Sequence, residues 1–543
     1  MASIDKSKTL FAFTSPRTLE KVIPEIELLG SKLSGQSWEE KTQIEFFKLL
    51  AVSDFYHGTK TPKDIPFAAR DRITRAPKAL GFVDLKPKIK ITPAGRELLK
   101  TNRIADVFTR QLIKFQLPSP YHTQKKSRFF IKPYLELLHL LKAVDSLSKT
   151  EIALFFLQYT HIENFDTIVK KVLDYREHVK RFKGSRRTYA YQQFEQEVKK
   201  VYQEEIEAKQ LKTRESSDLT LQKFIKTKRS NWIDYADAFI RYLRATELIS
   251  FQKNTLRVII SPSKFQEVDH ILRTIDRNPT KFESKEDFKK YLFSAENIIL
   301  FYDIRANLVR ALEKLSFNFD SSLNINKLKE LLKNKIEDTK TEKIVAVEKS
   351  LKDFRAYDDI LSIFERLEKR EVPDPPLYME WNVWRAMVML NYAISVKGNF
   401  KIDLDGVPLS FASGNMPDIE IEYDDFVLIV EVTMSRGNKQ FEMEGESVAR
   451  HFGKKRRATN KDVYCLFIAP KVSEATLAHF FNLNRFTTRY YGGKTQIVPM
   501  NLKQFLAFIQ IAKEHKLSSS MPIKNYFENA IRLNSSATPL KIK

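Results

Sequence analysis

The chain has 543 residues, 43% of them hydrophobic, enough for about two to four globular domains with cores of their own. Ninety-two Lys and Arg against 68 Asp and Glu leave a formal net charge of +24 at pH 7, a field that attracts a polyanion, nucleic acid ahead of an anionic membrane surface. The single cysteine, Cys465, excludes an intramolecular disulfide and a thiolate zinc cluster. At the N-terminus, "MASIDKSKTLFAFTSPRTLEK" lacks a basic-then-apolar leader pattern, and no run reaches the roughly eighteen apolar residues of a spanning helix. The expectation is a soluble cytoplasmic protein with no membrane partner.

Residues 1–115 are read as a first recognition module. Helical spacing in "WEEKTQIEFFKLLAVSDF" and "PFAARDRITRAPKAL" precedes two short strands, "GFVDL" and "KIKI", joined by "KPK". "TPAGRELLK" then predicts a helix with Thr92 as N-cap and Pro93 at its first position. Helix, helix, hairpin, helix is the order of a winged helix-turn-helix. Arg70, Arg72, Arg75 and Lys78 are its candidate DNA contacts, suited to phosphates and guanine edges; the bland alternative is a solvated basic face.

Residues 116–280 repeat the pattern. "DYADAFIRYLRATELISFQKNTLRVIISPSKFQEVDHIL" aligns Leu248 to Phe251 with Leu80 to Val83, and "IISP" with "KITP". Lys226, Lys228 and Arg229 in "KFIKTKRSNW" add candidate DNA contacts in a basic and aromatic setting, a pattern that exposed helix faces share. Residues 281–302, charged and less periodic, are expected to link the halves. Beyond them Leu328, Leu331, Leu332 and Ile336 recur at helical spacing, read as a packed helix rather than a coiled coil.

Residues 303–543 carry the chemistry. In "PDIEIEYDDFVLIVEVT" Ile419, Ile421 and Tyr423 alternate with acids, a half-exposed strand, whereas "VLIVEV" is apolar on both faces and therefore buried. A turn centred between Asp424 and Asp425 sets Asp418 opposite Glu431, with Cβ atoms about 4.5–5.5 Å apart. Such a pair calls for a cation or a proton. All-oxygen ligation by Asp418, Glu431 and the Val432 carbonyl suits Mg²⁺, while two surface acids or a protonated Glu431 is the alternative. Glu380 lies in the apolar helix "YMEWNVWRAMVML". Glu444 and His451 are two turns apart in "QFEMEGESVARHFGKK", where His451 could orient a water or protonate a leaving oxygen, or serve structure alone. "DVYCLFIAP", read as a strand with a buried thiol, and the segments that follow complete an α/β domain around a central mixed sheet.

The order Glu380, "PD" at Pro417 and Asp418, and "EVT" at Glu431 to Thr433 resembles the PD-(D/E)XK nuclease core. More narrowly, "GNMPDIEIEYDDFVLIVEVTMSRGNKQFEMEGESVARHF", "YCLFIAP", "IVPMNLKQF", "SPRTLEKVIPE" and "ARDRITRAPKALGFVDL" resemble the AlwI-like Type IIS restriction endonucleases, a group that includes nicking enzymes. The resemblance implies a multidomain prokaryotic enzyme: a mainly α N-terminal half with two winged helix-turn-helix modules, and an α/β, Mg²⁺-dependent cleavage half. It would bind a short asymmetric site in double-stranded DNA and cut at a fixed distance outside it. The catalytic positions it implies are Glu380, Asp418, Glu431, Glu444 and His451. Thr433 stands where the broader superfamily has Lys, so the group that holds the attacking water must come from elsewhere, and His451 is the candidate. One catalytic centre per chain leaves open a nicking enzyme or the large subunit of a heterodimer, the second strand being cut by a transient homodimer or a small second nuclease subunit. A DNA-binding regulator with an inactive nuclease-like domain is the reading from another class.

Overall fold

The computed structural model describes all residues except 1, 54, 57–61, 126, 253–254, 316, 370, 405, 412–415, 518 and 537–543. Gly414 and Asn415 of the long acid-bearing motif thus lie outside the described residues. Contacts divide the chain into two units, Met1–Ser53 with Pro62–Glu337, and Asp54–Thr61 with Asp338–Lys543. Among the described residues no helix is long and apolar enough to cross a membrane.

The first unit is mainly helical, with short hairpins. Thr42, Gln43, Phe46, Phe47 and Leu50 fall at helical spacing on the buried face of helix Glu40–Ala51. Helix Ile65–Ile73 follows, then strands Val83–Asp84 and Lys90–Ile91 and helix Pro93–Lys100. The Thr92 hydroxyl accepts the Gly95 N–H (3.0 Å), so Thr92 caps the helix that Pro93 begins. Gly95 is needed there, because a Cβ would collide with the Phe82 carbonyl.

The second hairpin pairs Ile249–Phe251 with Val258–Ile260 and leads through Pro262–Lys264 into helix Phe265–Thr274. Its register corrects the sequence alignment. Val83 pairs with Ile91 and Ile249 with Ile260, so Val83 corresponds to Ile249 and not to Phe251. The second hairpin is longer, and the two-residue shift keeps the same side chains on the buried face.

Segment 281–302, expected as a linker, lies inside the first unit. Helix Lys285–Phe293 buries Phe288 and Leu292, and the buried Gln111 side chain donates to the Leu292 carbonyl (2.7 Å). The division falls at 337/338, within helix Ile325–Leu351. Leu328 and Leu332 of that helix pack with Leu308 and Leu312.

The second unit is built on a mixed five-stranded sheet in the order Ile497–Asn501, Asp462–Ala469, Phe426–Val432, Ile419–Glu422, Ser395–Gly398. The first three strands run parallel and the last two pair antiparallel. Every residue of Phe426–Val432 is buried, as a strand apolar on both faces requires. On one face Val427, Ile429, Val463, Cys465 and Phe467 form a core with Val448, Ala449 and Phe452 of helix Asn438–Ala458 and with Phe480 of helix Glu474–Arg485. A small hairpin, Phe400–Ile402 with Pro408–Phe411, was not foreseen from the sequence.

Candidate active site

Strand alternation decides which way Glu431 points. It shares parity with Val427 and Ile429, so it belongs to the sheet face that helix Asn438–Ala458 covers. His451 on that helix meets it, with Nδ1 2.7 Å from Glu431 Oε1. Both residues are buried, at 8% and 6% exposure, and His451 Nε2 is buried without a hydrogen-bond partner.

Asp418 precedes the strand Ile419–Glu422. Ile419 pairs with Val430, so the next rung sets Asp418 against Glu431. The Val432 N–H donates to Asp418 Oδ2 (2.7 Å), and the Asn399 N–H donates to the Asp418 carbonyl (2.7 Å). These contacts orient the carboxylate on the strand end. Glu444 stands two turns before His451, near enough to Thr433 for that side chain to oppose the rise of its pKa. Glu380 approaches from helix Pro375–Met389, close enough for its charge to feel Asp418, Asp374, Glu431 and Glu444.

The electrostatics follow from this crowding. Burial pushes Asp418 well above the ordinary carboxylate range, and the Glu431 and Glu444 charges add to it while the Val432 N–H opposes. Burial raises Glu431 likewise, followed by Glu444. Glu380 is raised by burial and then by Asp418, and Glu444 is raised by burial. His451 is pulled down to about 4, chiefly by burial and then by Arg450, so its imidazole is neutral at neutral pH. Four carboxylates are therefore buried together, the Arg450 charge opposing the rise at Glu431, and each holds a proton more tightly than it would in water.

Among the described residues no group of three or more His, Cys, Asp or Glu side chains is arranged to hold a metal ion. Magnesium does not need such a cage, because it keeps several waters and is held through one or two carboxylates plus substrate phosphates. The hard oxygen donors of Asp418 and Glu431, both raised in pKa chiefly by burial, fit that mode.

The family model for the AlwI restriction endonuclease matches residues 78–508. The chain belongs to the AlwI restriction endonuclease family. As a member of that family it is a restriction endonuclease, a nuclease that acts on DNA. No curated relative matches it. Among solved structures it is similar to the small subunit (R.BspD6I2) of the heterodimeric restriction endonuclease R.BspD6I, with TM-score 0.30 and 25% identity over 34% of this chain and 92% of that one. It is also similar to the BpuJ1 endonuclease binding domain crystallised with pyrene- and phenanthrene-modified DNA, with TM-score 0.34 and 14% identity over 53% of this chain and 96% of that one. At such TM-scores neither likeness bears on the site.

In this restriction endonuclease the basic residues singled out from the sequence fall in different settings. Arg70 is exposed on helix Ile65–Ile73 and reaches Gln43 Oε1 (3.3 Å). Arg72 turns inward and pairs with the fully buried Glu25, whose carboxyl burial pushes up to about 7 against the pull of Arg72. Arg75 pairs with Asp71 (2.5 Å) and donates to Thr14 Oγ1 (3.2 Å). Lys78 is half-buried, its Nζ 4.8 Å from the centre of the Tyr121 ring. On helix Leu221–Arg244, Lys226 is exposed, Lys228 lies over Tyr202 (4.4 Å) and Arg229 over Tyr191 (4.4 Å).

Two site features escaped the sequence reading. Thr433 was noted as a departure, but its place beside Glu444 depends on how strand and helix meet. Gln440, fully buried, donates to the Ser435 and Lys471 carbonyls (2.9 and 3.0 Å) and accepts the Ser473 N–H (2.8 Å), which ties down the turn after Glu431. Nothing in the sequence marked it.

Proposed function

We propose that the chain is a Type IIS restriction endonuclease of the PD-(D/E)XK class, which binds a short asymmetric site through winged-helix modules in its N-terminal half and hydrolyses phosphodiesters outside it with Mg²⁺. The observation that carries the reading is the rung that sets Asp418 against Glu431, with Val432 N–H on the first and His451 on the second. Asp418, Glu431 and the Val432 carbonyl would hold Mg²⁺, which supplies a water of lowered pKa and neutralises charge on the phosphate. The residues' own work is to orient and to move protons. With Nδ1 engaged by Glu431, the neutral His451 has Nε2 free to take a proton from the attacking water or return one to the leaving oxygen. Glu444 stands near this pair beside Thr433, and Glu380 adds a further buried acid. Support for the winged-helix reading is the order of helices and hairpin, with Thr92 capping the helix that follows the first hairpin.

A nicking reading has its own support. All carboxylates of the cluster come from one chain, so cutting the second strand needs a second cluster, from a transient homodimer or a small second nuclease subunit. The test is supercoiled plasmid with Mg²⁺. Wild type yields open circles or linear fragments of fixed size, and end sequencing reads the offset. Asp418→Ala abolishes cutting yet still retards the DNA. A variant that cuts normally refutes the site, and a wild type that shifts DNA without cutting it makes the chain a regulator.

A further inference from the structure

Away from the carboxylates, the first unit holds a cavity of about 360 Å³ between Lys78, Lys114, Tyr121, His122, Lys285 and Phe288, within the usual size of small-ligand pockets, roughly 300–1,000 Å³. Its charge is unbalanced. Lys78 and Lys285 stand 4.8 and 5.7 Å from the centre of the same Tyr121 ring, and the nearby Asp84 is taken by Lys289 (2.9 Å). Lys114, fully buried, donates to Gln111 Oε1 (2.9 Å) and the Ser294 carbonyl (2.5 Å), both neutral acceptors. Burial, then Arg110, pulls its ammonium down to about 7, and Lys78 is lowered by burial and then by Lys285. Crowded ammonium groups of this kind are relieved by a bound anion. Aromatic rings line the same cavity, with Tyr121 edge-on to Phe288 at 5.1 Å, and the Tyr121 hydroxyl is buried without a hydrogen-bond partner.

We infer that this cavity binds a single nucleotide, its phosphate held by Lys78 and Lys285 above Lys114 and its base lodged against Phe288 with an edge offered to the Tyr121 hydroxyl. The choice of a nucleotide over other phosphates rests on the DNA-binding reading of this half of the chain. The source is either a nucleotide turned out of the bound duplex or a free one.

Isothermal titration of the full chain with the four deoxynucleoside 5′-monophosphates and with inorganic phosphate tests it. At least one nucleotide binds, phosphate binds about tenfold or more weakly, and Lys78→Ala and Lys285→Ala each weaken the nucleotide about tenfold, roughly one charge-assisted contact. Lys285 is exposed, so its variant keeps the fold, which an unchanged melting temperature verifies. Plasmid DNA that displaces the nucleotide identifies the duplex as its source, and simultaneous binding identifies a free nucleotide. No binding, binding indifferent to both lysines, or phosphate binding as tightly as nucleotides overturns the inference. Cutting by a wild type that binds no nucleotide rejects the pocket alone, whereas nucleotide binding without cutting rejects the nuclease reading alone.

Discussion

Asp418 accepts the Val432 N–H while Glu431 and Glu444 repel it, and burial deepens the cost of its charge. Its folded pKa, like those of Glu380, Glu431 and Glu444, lies above the unfolded value, so the folded chain keeps protons that the unfolded chain releases above about pH 4. Stability from these four groups is therefore greatest in acid and is lost as pH rises through their folded pKa values. His451 works the other way: lowered to about 4, it adds stability as pH climbs toward about 6.5 and is then constant. Above that point only the acids contribute from this cluster. Scanning calorimetry of the metal-free protein should find that wild type loses more melting temperature between pH 6 and 8 than Asp418→Asn does. Equal losses would show that Asp418 is not part of a proton-binding cluster. At the same scale, Thr433 lies close enough to Glu444 to oppose the rise of its pKa.

At the scale of elements, helix Ile65–Ile73 and the turn after it present three arginines with different duties. Arg72 holds Glu25 in the interior, whereas Arg70 and Arg75 bind partners near the surface. Arg72→Ala should cost about 1–3 kcal/mol in urea denaturation by stranding a buried acceptor, with Glu25→Gln alongside it recovering part of the loss. Arg70→Ala and Arg75→Ala should leave stability nearly unchanged but each lower the salt slope of DNA binding by about 0.9, one phosphate contact apiece. An Arg72 variant as stable as wild type, or arginine variants with an unaltered slope, would reverse these assignments. On helix Asn438–Ala458 the two-turn spacing of Glu444 and His451 brings the first near Thr433 and the second against Glu431, at the same strand end.

Over the whole molecule, a net charge of +24 sets a long-range attraction for DNA, and, if the proposed carboxylate cluster does the cutting, the number of copies present sets how many strands are cut. If a second copy supplies the second cut, linear product should rise more than twofold when enzyme concentration doubles, while open circles rise in proportion. Agarose gels of timed plasmid digests measure both, and linear product in simple proportion would point away from a transient homodimer.

The hairpin at Asp418 and Glu431 was legible in the residues alone, because strand periodicity is local and a symmetric turn at "YDDF" leaves one register that keeps Ile419 and Ile421 inward. So were Thr92 as a cap and Cys465 as a buried strand thiol, both consequences of neighbours along the chain. Folding in space decided the rest. That Arg72 turns to Glu25, that 281–302 joins the first unit, that the second hairpin pairs two residues away from its alignment, and that His451 closes on Glu431 all depend on contacts between segments far apart in sequence. Charge and periodicity say which side chains can be buried or paired, but the choice of partner belongs to packing, where a buried ion takes whichever counter-charge the fold brings within reach.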